Sequence, residues 1–459
     1  MKKRIEKDSL GEVEINSEHF WGPQTQRSLI HFSIGRDLMP EELVYSYLLI
    51  KAAAAVANYK CKKISNKKKN LILSIVDKIK LGEYKTEFPL HVWMTGSGTQ
   101  FNMNINEVIA NIASQLSGNK LGSKIPLHPN DDINMSQSSN DTFPTAMHIS
   151  AFLTINNELL PVIKKMHKEI AMKVKEWAKI IKIGRTHMQD AVPISLGQEF
   201  SAYENMLSSS MQRIKFALNN ILEIPLGGTA VGTGLNAPEK FSFFAVDYIA
   251  KITKFKFKVA SNNFALQGAH DNLMAVMSEL KNLAVSLFKI ANDIRLLSCG
   301  PRAGFFELII PQNEPGSSIM PGKVNPTQCE ALAMVCAQVI GLDVAVSIGC
   351  GGGYLQMNVY KPMIIFNILN ATRLLKDSIN NFTDFLLVGL KPNNQKIATY
   401  VENSLMLVTV LSPIIGYDKA SILSHYAYDN NCSLKEANDK FKFLNEVDFQ
   451  KYCDPKNMI

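Results

Sequence analysis

The chain has 459 residues, of which 46% are hydrophobic and 20% charged, and its formal net charge is +8. This composition is that of a globular protein long enough for two or three domains. No apolar run approaches the roughly 20 residues of a membrane span, and the basic start MKKRIEKDSL lacks the apolar core of a secretory signal. Seven scattered cysteines without a CxxC pair favour a reducing compartment and no structural zinc.

One basic cluster, KCKKISNKKK at residues 60–69, supplies much of the positive charge. It has no interleaved aromatic residues and lies in no recognised nucleic-acid-binding module. A solvated helix end with its connecting loop is therefore the favoured interpretation. We expect neither nucleic acid nor a membrane as a partner, although a mild positive bias suits an anionic substrate.

Helical periodicity dominates the sequence after the first forty residues. Residues 41–80 are helical in pattern, and another helix begins near Asn102. The centre of the chain is helix after helix. Its clearest run extends from about Phe264 to Ser298, with leucine every seventh residue from Leu273. A helix of that length measures about 50 Å and needs neighbours of similar length, so we predict a bundle of long helices.

The pattern divides the chain into three predicted domains. Residues 1–141 form a mixed, mostly helical domain, residues 142–390 form the central bundle, and residues 391–459 form a small C-terminal helical domain. In the last, Ser433 and Glu436 have the spacing of a capping box that starts a final short helix. Strand is expected only as short hairpins near residues 1–20 and around 181–195, so the fold class is mainly α.

The stretch GSSIMPGKVNPTQCE at residues 316–330 brings two hydroxyls, an ammonium and an amide to the start of an apolar helix. Free N–H groups and the helix dipole make such a helix N-terminus a favourable place for an anion. Ile319, Met320 and Val324 interleave with the polar residues. We therefore interpret the stretch as a loop that closes over a ligand, and not as an ordinary surface loop.

Four further polar loops precede or join long helices: TGSGTQFNMN (95–104), HPNDDINMSQSSND (128–141), GRTHMQD (184–190) and PLGGTAVGTGLN (225–236). Glycines in the first allow backbone N–H groups to approach a ligand. Asp141, at the end of the second, suits a helix N-cap. Taken singly, each loop also fits ordinary turns and caps, and a lone histidine such as His187 is more often structural.

Two glycine-rich stretches do not qualify as nucleotide sites. Residues 232–237 fit G-x-G-x-x-A, but we expect no preceding strand and no βαβ unit there. The CGGGY at 350–354 has no following GK[S/T]. The histidines and cysteines show no metal-ligand spacing.

The five loops, with KDSLGEVEI and WGPQTQRS near the start and FQKYCDPKNMI at the end, resemble in order the blocks of the class II fumarases of the fumarase/aspartase superfamily. The resemblance covers essentially the whole chain. It implies a three-domain fold whose long-helix bundle is assembled in a homotetramer. It further implies reversible hydration of fumarate to (S)-malate, a step of the tricarboxylic acid cycle, without cofactor or metal. The cysteine pattern and the lack of a secretory signal favour a cytoplasmic location.

The resemblance also assigns roles to individual residues. Ser317 is implied as the base, His187 as the acid/base that acts on water, and Glu330 as the partner of His187. Three subunits are implied to meet at each active site. The implied substrate-binding residues are Ser97, Gly98, Thr99, Ser138, Ser139, Asn140, Thr186, Ser318, Lys323, Val324 and Asn325.

The chemistry that this family performs makes specific demands on those residues. A base must remove a weakly acidic proton beside a carboxylate, and the resulting dianion must be stabilised where its charge develops. An acid on the opposite face must protonate the departing hydroxyl. A serine hydroxyl is a poor base unless its alkoxide is stabilised. Lys323 and inward-pointing loop amides are the expected means, with loop closure excluding water.

Three departures from the family pattern bear on the expected sites. Phe101 replaces a small polar residue, Phe305-Phe306 stands where glycine is usual, and apolar residues at 125–127 replace basic ones. The last change leaves two interpretations of the HPND motif. It is either a second anion site or a structural turn, and its residues are His128, Pro129, Asn130 and Asp131.

Two alternatives to fumarate hydration remain open from the sequence. An aspartase-type ammonia-lyase shares the fold and the serine loop, although Gly322 and His187 favour the hydratase. A non-catalytic structural protein could also be built on this scaffold. Ammonia release from aspartate separates the first alternative, and unchanged fumarate absorbance would support the second.

Overall fold

The computed structural model describes residues 2–459, and α-helix is the dominant element within them. The predicted mainly α fold is confirmed. The α-helices of this range are α1 Pro23–His31, α2 Glu41–Lys60, α3 Asn66–Lys80, α4 Thr99–Leu116, α5 Ser139–Thr154, α6 Leu160–Glu176, α7 Leu196–Asn220, α8 Phe241–Thr253, α9 Asn263–Gly268, α10 Asp271–Leu297, α11 Thr327–Gly351, α12 Lys361–Phe382, α13 Asn394–Asn403, α14 Ser412–Ile415, α15 Tyr417–Asp429, α16 Leu434–Phe441 and α17 Glu446–Tyr452.

Strands are short and pair only in twos within the described residues. They are β1 Lys3–Asp8, β2 Gly11–Asn16, β3 Ile181–Thr186, β4 Gln189–Ser195, β5 Glu223–Ile224, β6 Lys258–Val259, β7 Leu308–Ile309 and β8 Lys391–Pro392. The antiparallel pairs β1–β2 and β3–β4 are the two predicted hairpins. The two-residue pairs β5–β6 and β7–β8 were not predicted, because so few residues show no alternation of polar and apolar side chains.

The chain forms two compact units. The first reaches to Pro161 and includes Gln212–Ala284 and Ala337–Lys376. Helix α2 packs there against α3, α5 and α8. Its small side chains, including four consecutive alanines, are buried on every side of the helix. This central position explains why α2 shows no polar face.

The second unit comprises Val162–Met211, Val285–Cys336 and Asp377–Ile459. Edge-to-face contacts of the Phe200 ring with Trp177 and Tyr203 fill part of its interior. Near the end of the chain a separate apolar cluster forms around Leu411 and Leu423. The three predicted domains are not tested by this division and stay a prediction.

The long helix predicted from about Phe264 to Ser298 is interrupted. Ala269 has an extended backbone, with φ −132° and ψ 159°, and it separates α9 from α10. The periodicity could not reveal the break, because apolar residues at helical spacing occur on both sides of Ala269. Helix α10 alone has 27 residues, or about 40 Å at the usual rise.

The C-terminal prediction is confirmed at one helix and incomplete beyond it. The Ser433 side chain accepts the Glu436 N–H and the Glu436 carboxylate accepts the Ser433 N–H, which is the predicted capping box of α16. A further short helix, α17, follows and begins with Asn445 as its N-cap. The capping-box helix is therefore not the last one.

Helix α11 corrects the expectation that no segment is apolar enough to span a membrane. It has 25 residues and a mean hydropathy of 2.0 over its most apolar window, of which 28% is buried. Length and composition alone therefore meet the requirements of a span. A long apolar helix is equally typical of a helix bundle, so α11 by itself assigns no membrane location.

Candidate active site

Two helix N-termini meet in the first unit, where α4 and α5 begin. The hydroxyls of Thr99 and Ser139 share a hydrogen bond of 2.7 Å. Ser97 Oγ lies 3.0 Å from Thr99 Oγ1 and extends the row. Gly98 adopts φ 79°, and a Cβ there would lie 1.9 Å from the Phe143 ring. Three predicted binding hydroxyls thus stand together where free N–H groups favour an anion.

Asp141 ties this place to the glycine-rich loop 225–236. One carboxylate oxygen accepts the Ser138 N–H at 2.9 Å, which completes the capping box of α5. The other accepts the N–H groups of Gly227 and Thr229 at 2.9 and 3.1 Å. Burial raises the pKa of Asp141 to about 6, against the lowering effect of these donors.

Asn140 adds a second link between the same two loops. Its side-chain amide donates to the Ala230 carbonyl at 2.8 Å. The structure therefore brings together three of the loops that the sequence singled out, namely 95–104, 128–141 and 225–236. All of their interactions named here lie within the first unit.

The expectation that the G-x-G-x-x-A stretch lacks a preceding strand and a βαβ arrangement is wrong. The two-residue strand β5 precedes the loop, and it pairs in parallel with β6, which follows α8. The strands are much shorter than those of a dinucleotide-binding unit. The loop amides of Gly227 and Thr229 already donate to the carboxylate of Asp141. A dinucleotide site therefore still lacks support.

Lys51 is a buried cation that sequence reasoning missed. It lies on α2 and is 1% exposed, and its ammonium donates to Asn102 at 2.7 Å and Gln137 at 2.9 Å. Burial lowers its pKa to about 7. The available signal was its isolation as the one charged residue in the apolar string LLIKAAAAVA. Lys51 thereby joins the first turns of α4 to the loop that precedes α5.

His187 occupies a hairpin turn in the second unit. His187 and Met188 link β3 to β4 and have φ values of 54° and 63°. Positive φ at both central positions is the pattern of a type I′ turn, where asparagine and glycine are usual. Thr186 and His187 are exposed, and the His187 side chain makes no hydrogen bond among residues 2–459. The turn thus presents the imidazole to solvent.

The hairpin that carries His187 is held at its base by buried ion pairs. Glu307 is fully buried and lies 2.8 Å from both the Lys182 ammonium and the Arg185 guanidinium. Lys182 also pairs with Glu199. A buried carboxylate requires such partners, since an unpaired charge in the interior is strongly destabilising. The pairs therefore fix the position of the turn relative to the second unit.

The serine loop places two backbone N–H groups on the predicted base. Ser317 Oγ accepts the N–H of Met320 at 3.0 Å and that of Ile319 at 3.3 Å. Further along the loop, the Lys323 ammonium donates to Asn325 Oδ1 at 2.9 Å. Hydrogen bonds to an oxygen favour its anionic form, so this arrangement lowers the cost of a serine alkoxide.

A cavity of about 470 Å³ lies beside the serine loop, and its walls include Lys323, Val324, Asn325 and Glu330. Glu330 forms an ion pair there with Arg295 at 3.4 Å. Ser317 and His187 are not among its lining residues. Within one chain the structure therefore gives Glu330 an arginine partner, and its pairing with His187 stays a prediction. Ser318 is exposed and stays a predicted binding residue.

Two of the aromatic departures have structural explanations. Phe101 is fully buried and packs edge-on against Tyr47, with ring centroids 5.5 Å apart. It therefore belongs to the core beneath the hydroxyl row. Phe305 lies under the guanidinium of Arg185, 4.5 Å from its ring centroid, in a cation–π contact. Nothing in the structure explains Phe306, which adopts φ 47°.

The HPND motif forms a structural turn and also lines a cavity. His128 Nδ1 accepts the N–H groups of Asn130 and Asp131 at 3.2 and 3.1 Å, which is a capping role. His128, Pro129 and Asn130 contribute to a cavity of about 410 Å³ that also contacts the exposed lysines at 7 and 124. The structural interpretation of His128 is thus observed, and the second anion site stays a prediction.

The fold and these loops define a lyase. The family model described as "Lyase" matches residues 11–341, and the model described as "Fumarase C C-terminus" matches residues 407–459. The chain is 52% identical over 455 residues to a class II fumarate hydratase of Prochlorococcus marinus, covering 99% of this chain and 98% of that protein. It is 50% identical to the one from Methanosarcina acetivorans, covering 100% and 94%.

A solved structure gives the same result. The class II fumarase of Schistosoma mansoni superposes with a TM-score of 0.97 at 41% identity, covering 100% of this chain and 99% of that one. The chain belongs to the class II fumarate hydratase family. The resemblance stated from the sequence is thereby confirmed over the whole chain.

Proposed function

We propose that this protein catalyses the reversible anti addition of water to fumarate, giving (S)-malate. The observation that carries the proposal is the pair of backbone N–H groups on Ser317 Oγ, 3.0 and 3.3 Å away. Hydrogen bonds to the oxygen favour its anionic form, which is the form that the proposed base requires. Membership of the class II fumarate hydratase family identifies fumarate as the matching substrate.

In the dehydration direction the steps follow from the groups present. Ser317, as its alkoxide, removes the proton from the carbon beside one carboxylate. The negative charge then spreads onto that carboxylate, where Lys323 supplies a positive charge and Asn325 a hydrogen-bond donor. His187 in its protonated form delivers a proton to the departing hydroxyl on the opposite face, and water leaves. Hydration runs through the same groups in reverse.

The hydroxyl row of the first unit is the proposed place for the second carboxylate. Thr99 and Ser139 stand at the N-termini of α4 and α5. The N-terminus of α4 has no side-chain cap, and each helix directs the positive end of its dipole there. A dicarboxylate needs such a place for the carboxylate that does not react. Substrate held at both ends is oriented for attack, which is a large part of the catalytic advantage.

We further propose a homotetramer in which loops of neighbouring subunits complete each active site. An exposed apolar stripe on α11 supports this assembly. Ile340, Val344 and Ile348 follow one another at four-residue spacing and are 37%, 56% and 67% exposed. Residues at this spacing share one helix face. A face of large apolar side chains on a long helix is suited to packing against helices of other subunits.

A reducing compartment is proposed as the place of action. All seven cysteines are free thiols, and none is paired in a disulfide. This is the usual state of cysteine in the cytoplasm, where thiols are kept reduced. The cytoplasm and the tricarboxylic acid cycle are therefore the proposed setting.

The deciding experiment follows the ultraviolet absorbance of the conjugated double bond. Purified protein is expected to consume fumarate absorbance and to regenerate it from (S)-malate, with both reactions reaching the same equilibrium ratio. Incubation with aspartate in parallel is expected to release no ammonia. Ammonia release without malate turnover would replace the hydratase with the ammonia-lyase, and no change with any substrate would favour a structural role.

The tetramer has its own test. Val344→Asp places a charge in the centre of the apolar stripe and is expected to reduce the mass measured by light scattering. Ile5→Asp, at a position of β1 that is 63% exposed, is the matched control and is expected to leave the mass unchanged. A wild-type protein with the mass of one chain would contradict the proposal.

A further inference from the structure

Lys361 is a buried cation to which no role has yet been given. Lys361 is fully buried, and its ammonium has no hydrogen-bond partner among residues 2–459. Lysine is almost never buried in this way unless it is paired. The side chain lies at the first residue of α12, within the first unit. Nothing in the packing of an ordinary core requires an ammonium at that point.

The backbone around Lys361 packs against the loop 95–99. The Lys361 N–H donates to the Gly96 carbonyl at 3.3 Å. A Cβ on Gly96 would lie 1.4 Å from the Val359 carbonyl oxygen, so the two segments touch along their backbones. Gly96 is followed directly by the hydroxyl row of Ser97 and Thr99. The backbone of Lys361 is therefore anchored to the residue that directly precedes the hydroxyl row.

The neighbouring ionisable groups leave this cation without a dedicated counter-ion. His270 is buried, both of its ring nitrogens are unpartnered, and burial together with the Lys361 charge lowers its pKa well below the usual range. His270 is thus neutral and offers no negative charge. The acidic group that interacts electrostatically with Lys361 is Asp141. The same carboxylate also interacts electrostatically with the second buried lysine, Lys51.

The charge balance behind the hydroxyl row is consequently positive. Two buried lysines, Lys51 and Lys361, share one buried carboxylate, that of Asp141. Lys51 has amide acceptors, and both oxygens of Asp141 already accept backbone N–H groups. Lys361 is therefore the cation with unsatisfied charge. In a low-dielectric interior that charge is poorly screened and favours an anion at the nearest polar surface.

We propose that Lys361 is a positioning residue. Its ammonium, acting from behind the loop 95–99, holds a carboxylate of the substrate at the N-termini of α4 and α5. The inference rests on the proposed function, because it takes the dicarboxylate as the ligand. The role is electrostatic and acts through the loop, without contact between Lys361 and the reacting atoms. A purely structural lysine would affect folding and leave dicarboxylate affinity unchanged.

The test is the neutral, similarly long variant Lys361→Met. Calorimetric titration with succinate, a dicarboxylate that cannot be hydrated, is expected to give a Kd raised by about tenfold or more, the scale of one poorly screened charge. The KM for fumarate is expected to rise with it, while kcat falls by less than about threefold, because binding and not chemistry is weakened. The unfolding temperature should stay or rise, since an unpaired buried charge is removed.

Two further variants complete the design. Lys256→Met removes an exposed lysine from the same unit and is expected to leave Kd, KM and kcat unchanged. Lys361→Arg keeps the charge and is expected to retain tighter succinate binding than Lys361→Met. If the methionine variant does not fold, Lys361→Gln is measured in its place, with the same expected rise in Kd.

The outcomes separate the two proposals. Unchanged succinate affinity and KM in the folded neutral variant, beside an active wild-type protein, would overturn the role of Lys361 alone. A wild-type protein that neither binds succinate nor changes fumarate absorbance would overturn the proposed function, and the inference would fall with it. Weaker binding in the methionine variant together with full binding in the arginine variant would support the positioning role.

Discussion

Thr99 and Ser139 share a 2.7 Å hydrogen bond between their hydroxyls although forty residues separate them in the chain. Each hydroxyl belongs to the first residue of a helix, so the bond joins the N-termini of α4 and α5. The positive ends of two helix dipoles therefore point into one region. This relationship explains how two unrelated polar loops can form one binding site for an anion.

Asp141 is expected to determine the geometry of that region. Asp141→Asn replaces a carboxylate oxygen with an amide NH₂, which cannot accept the N–H groups it would face. Three backbone donors depend on this carboxylate, those of Ser138, Gly227 and Thr229. We expect the free energy of unfolding to fall by about 1–3 kcal/mol, since buried donors lose their acceptor. The KM for fumarate should rise as the two loops separate.

The matched control is Asp247→Asn on α8, in the same unit. Asp247 pairs with Lys251 one helical turn away at 2.7 Å, on the protein surface. Such a pair contributes about 0.3–0.5 kcal/mol. Urea unfolding followed by circular dichroism, with initial rates at several fumarate concentrations, measures both effects. Equal destabilisation by the two substitutions would show that the three hydrogen bonds of Asp141 carry no special weight.

Ser317→Ala and His187→Asn are each expected to lower kcat by about 100-fold or more while the assembly stays folded. Removing the base or the acid eliminates a proton transfer that contributes on this scale. Both side chains lie in exposed loops of the second unit, so little packing is lost. Steady-state rates of malate dehydration and of fumarate hydration provide the measurement.

Controls of the same chemistry come from exposed positions elsewhere. Ser74→Ala on α3 and His31→Asn at the end of α1 make identical side-chain changes away from the proposed site, and their rates should equal that of the wild type. Near-normal malate dehydration by either Ser317→Ala or His187→Asn would remove that residue from the mechanism. Loss of helical content in the variants would attribute the lower rate to folding.

The hairpin turn that carries His187 is expected to be strained. Met188 has φ 63°, a conformation that glycine adopts easily and that a residue with a Cβ adopts at a steric cost. Met188→Gly should therefore raise the stability of the fold by about 0.5–1 kcal/mol, because glycine adopts this conformation without a steric cost. Met188→Ala keeps the Cβ and is the control that should bring no comparable gain. Thermal unfolding of the three proteins measures the difference, and a lower unfolding temperature for the glycine variant would contradict the expected strain.

Local signals in the sequence predicted the features that depend on neighbouring residues. The capping box of Ser433 and the hairpin at 181–195 follow from short-range spacing and alternation, and the structure has both. The predicted continuous helix from Phe264 to Ser298 is wrong. The apolar spacing continues past Ala269, but the backbone of Ala269 is extended and ends α9. The spacing of apolar residues indicates which side chains are buried, and it does not reveal a break between two consecutive helices.

Long-range burial accounts for most of what the sequence did not reveal at the site. The partners of Lys51 come from α4 and from the loop before α5, and they follow Lys51 by fifty residues or more. Lys361 looks like an ordinary helix-terminal lysine in the string NVYKP, and only the structure shows it to be buried. A lone charge within an apolar string is a usable signal for Lys51. No comparable signal exists for Lys361.

Glu107 provides a pH-dependent prediction that is independent of catalysis. Its buried carboxyl group accepts the N–H groups of Gly22, Gln24 and Thr25 at the start of α1, at 2.8–3.1 Å. Burial raises the pKa of Glu107 from 4.5 to about 7 in the folded protein, although these donors lower it. Between these two pH values the folded state therefore binds more protons than the unfolded state.

The sign of the pH effect follows from that difference. Stability falls with rising pH wherever the folded state binds more protons. The contribution of the protonated carboxyl group is present in full below pH 4.5 and is lost as the pH rises through about 7. Its full size is on the order of 3 kcal/mol. Glu107→Gln cannot ionise, so it should lack this dependence, although it loses acceptors for α1.

The measurement is urea unfolding of wild type and Glu107→Gln at pH 5 and pH 8. The wild type should be the more stable at both, with a margin that is larger at pH 5 than at pH 8. Glu239→Gln, which removes an exposed carboxylate, is the control and should show no change in margin. A margin that grows towards pH 8 would mean that the folded protein prefers the ionised carboxylate, held by the N–H groups of α1 more strongly than burial opposes it.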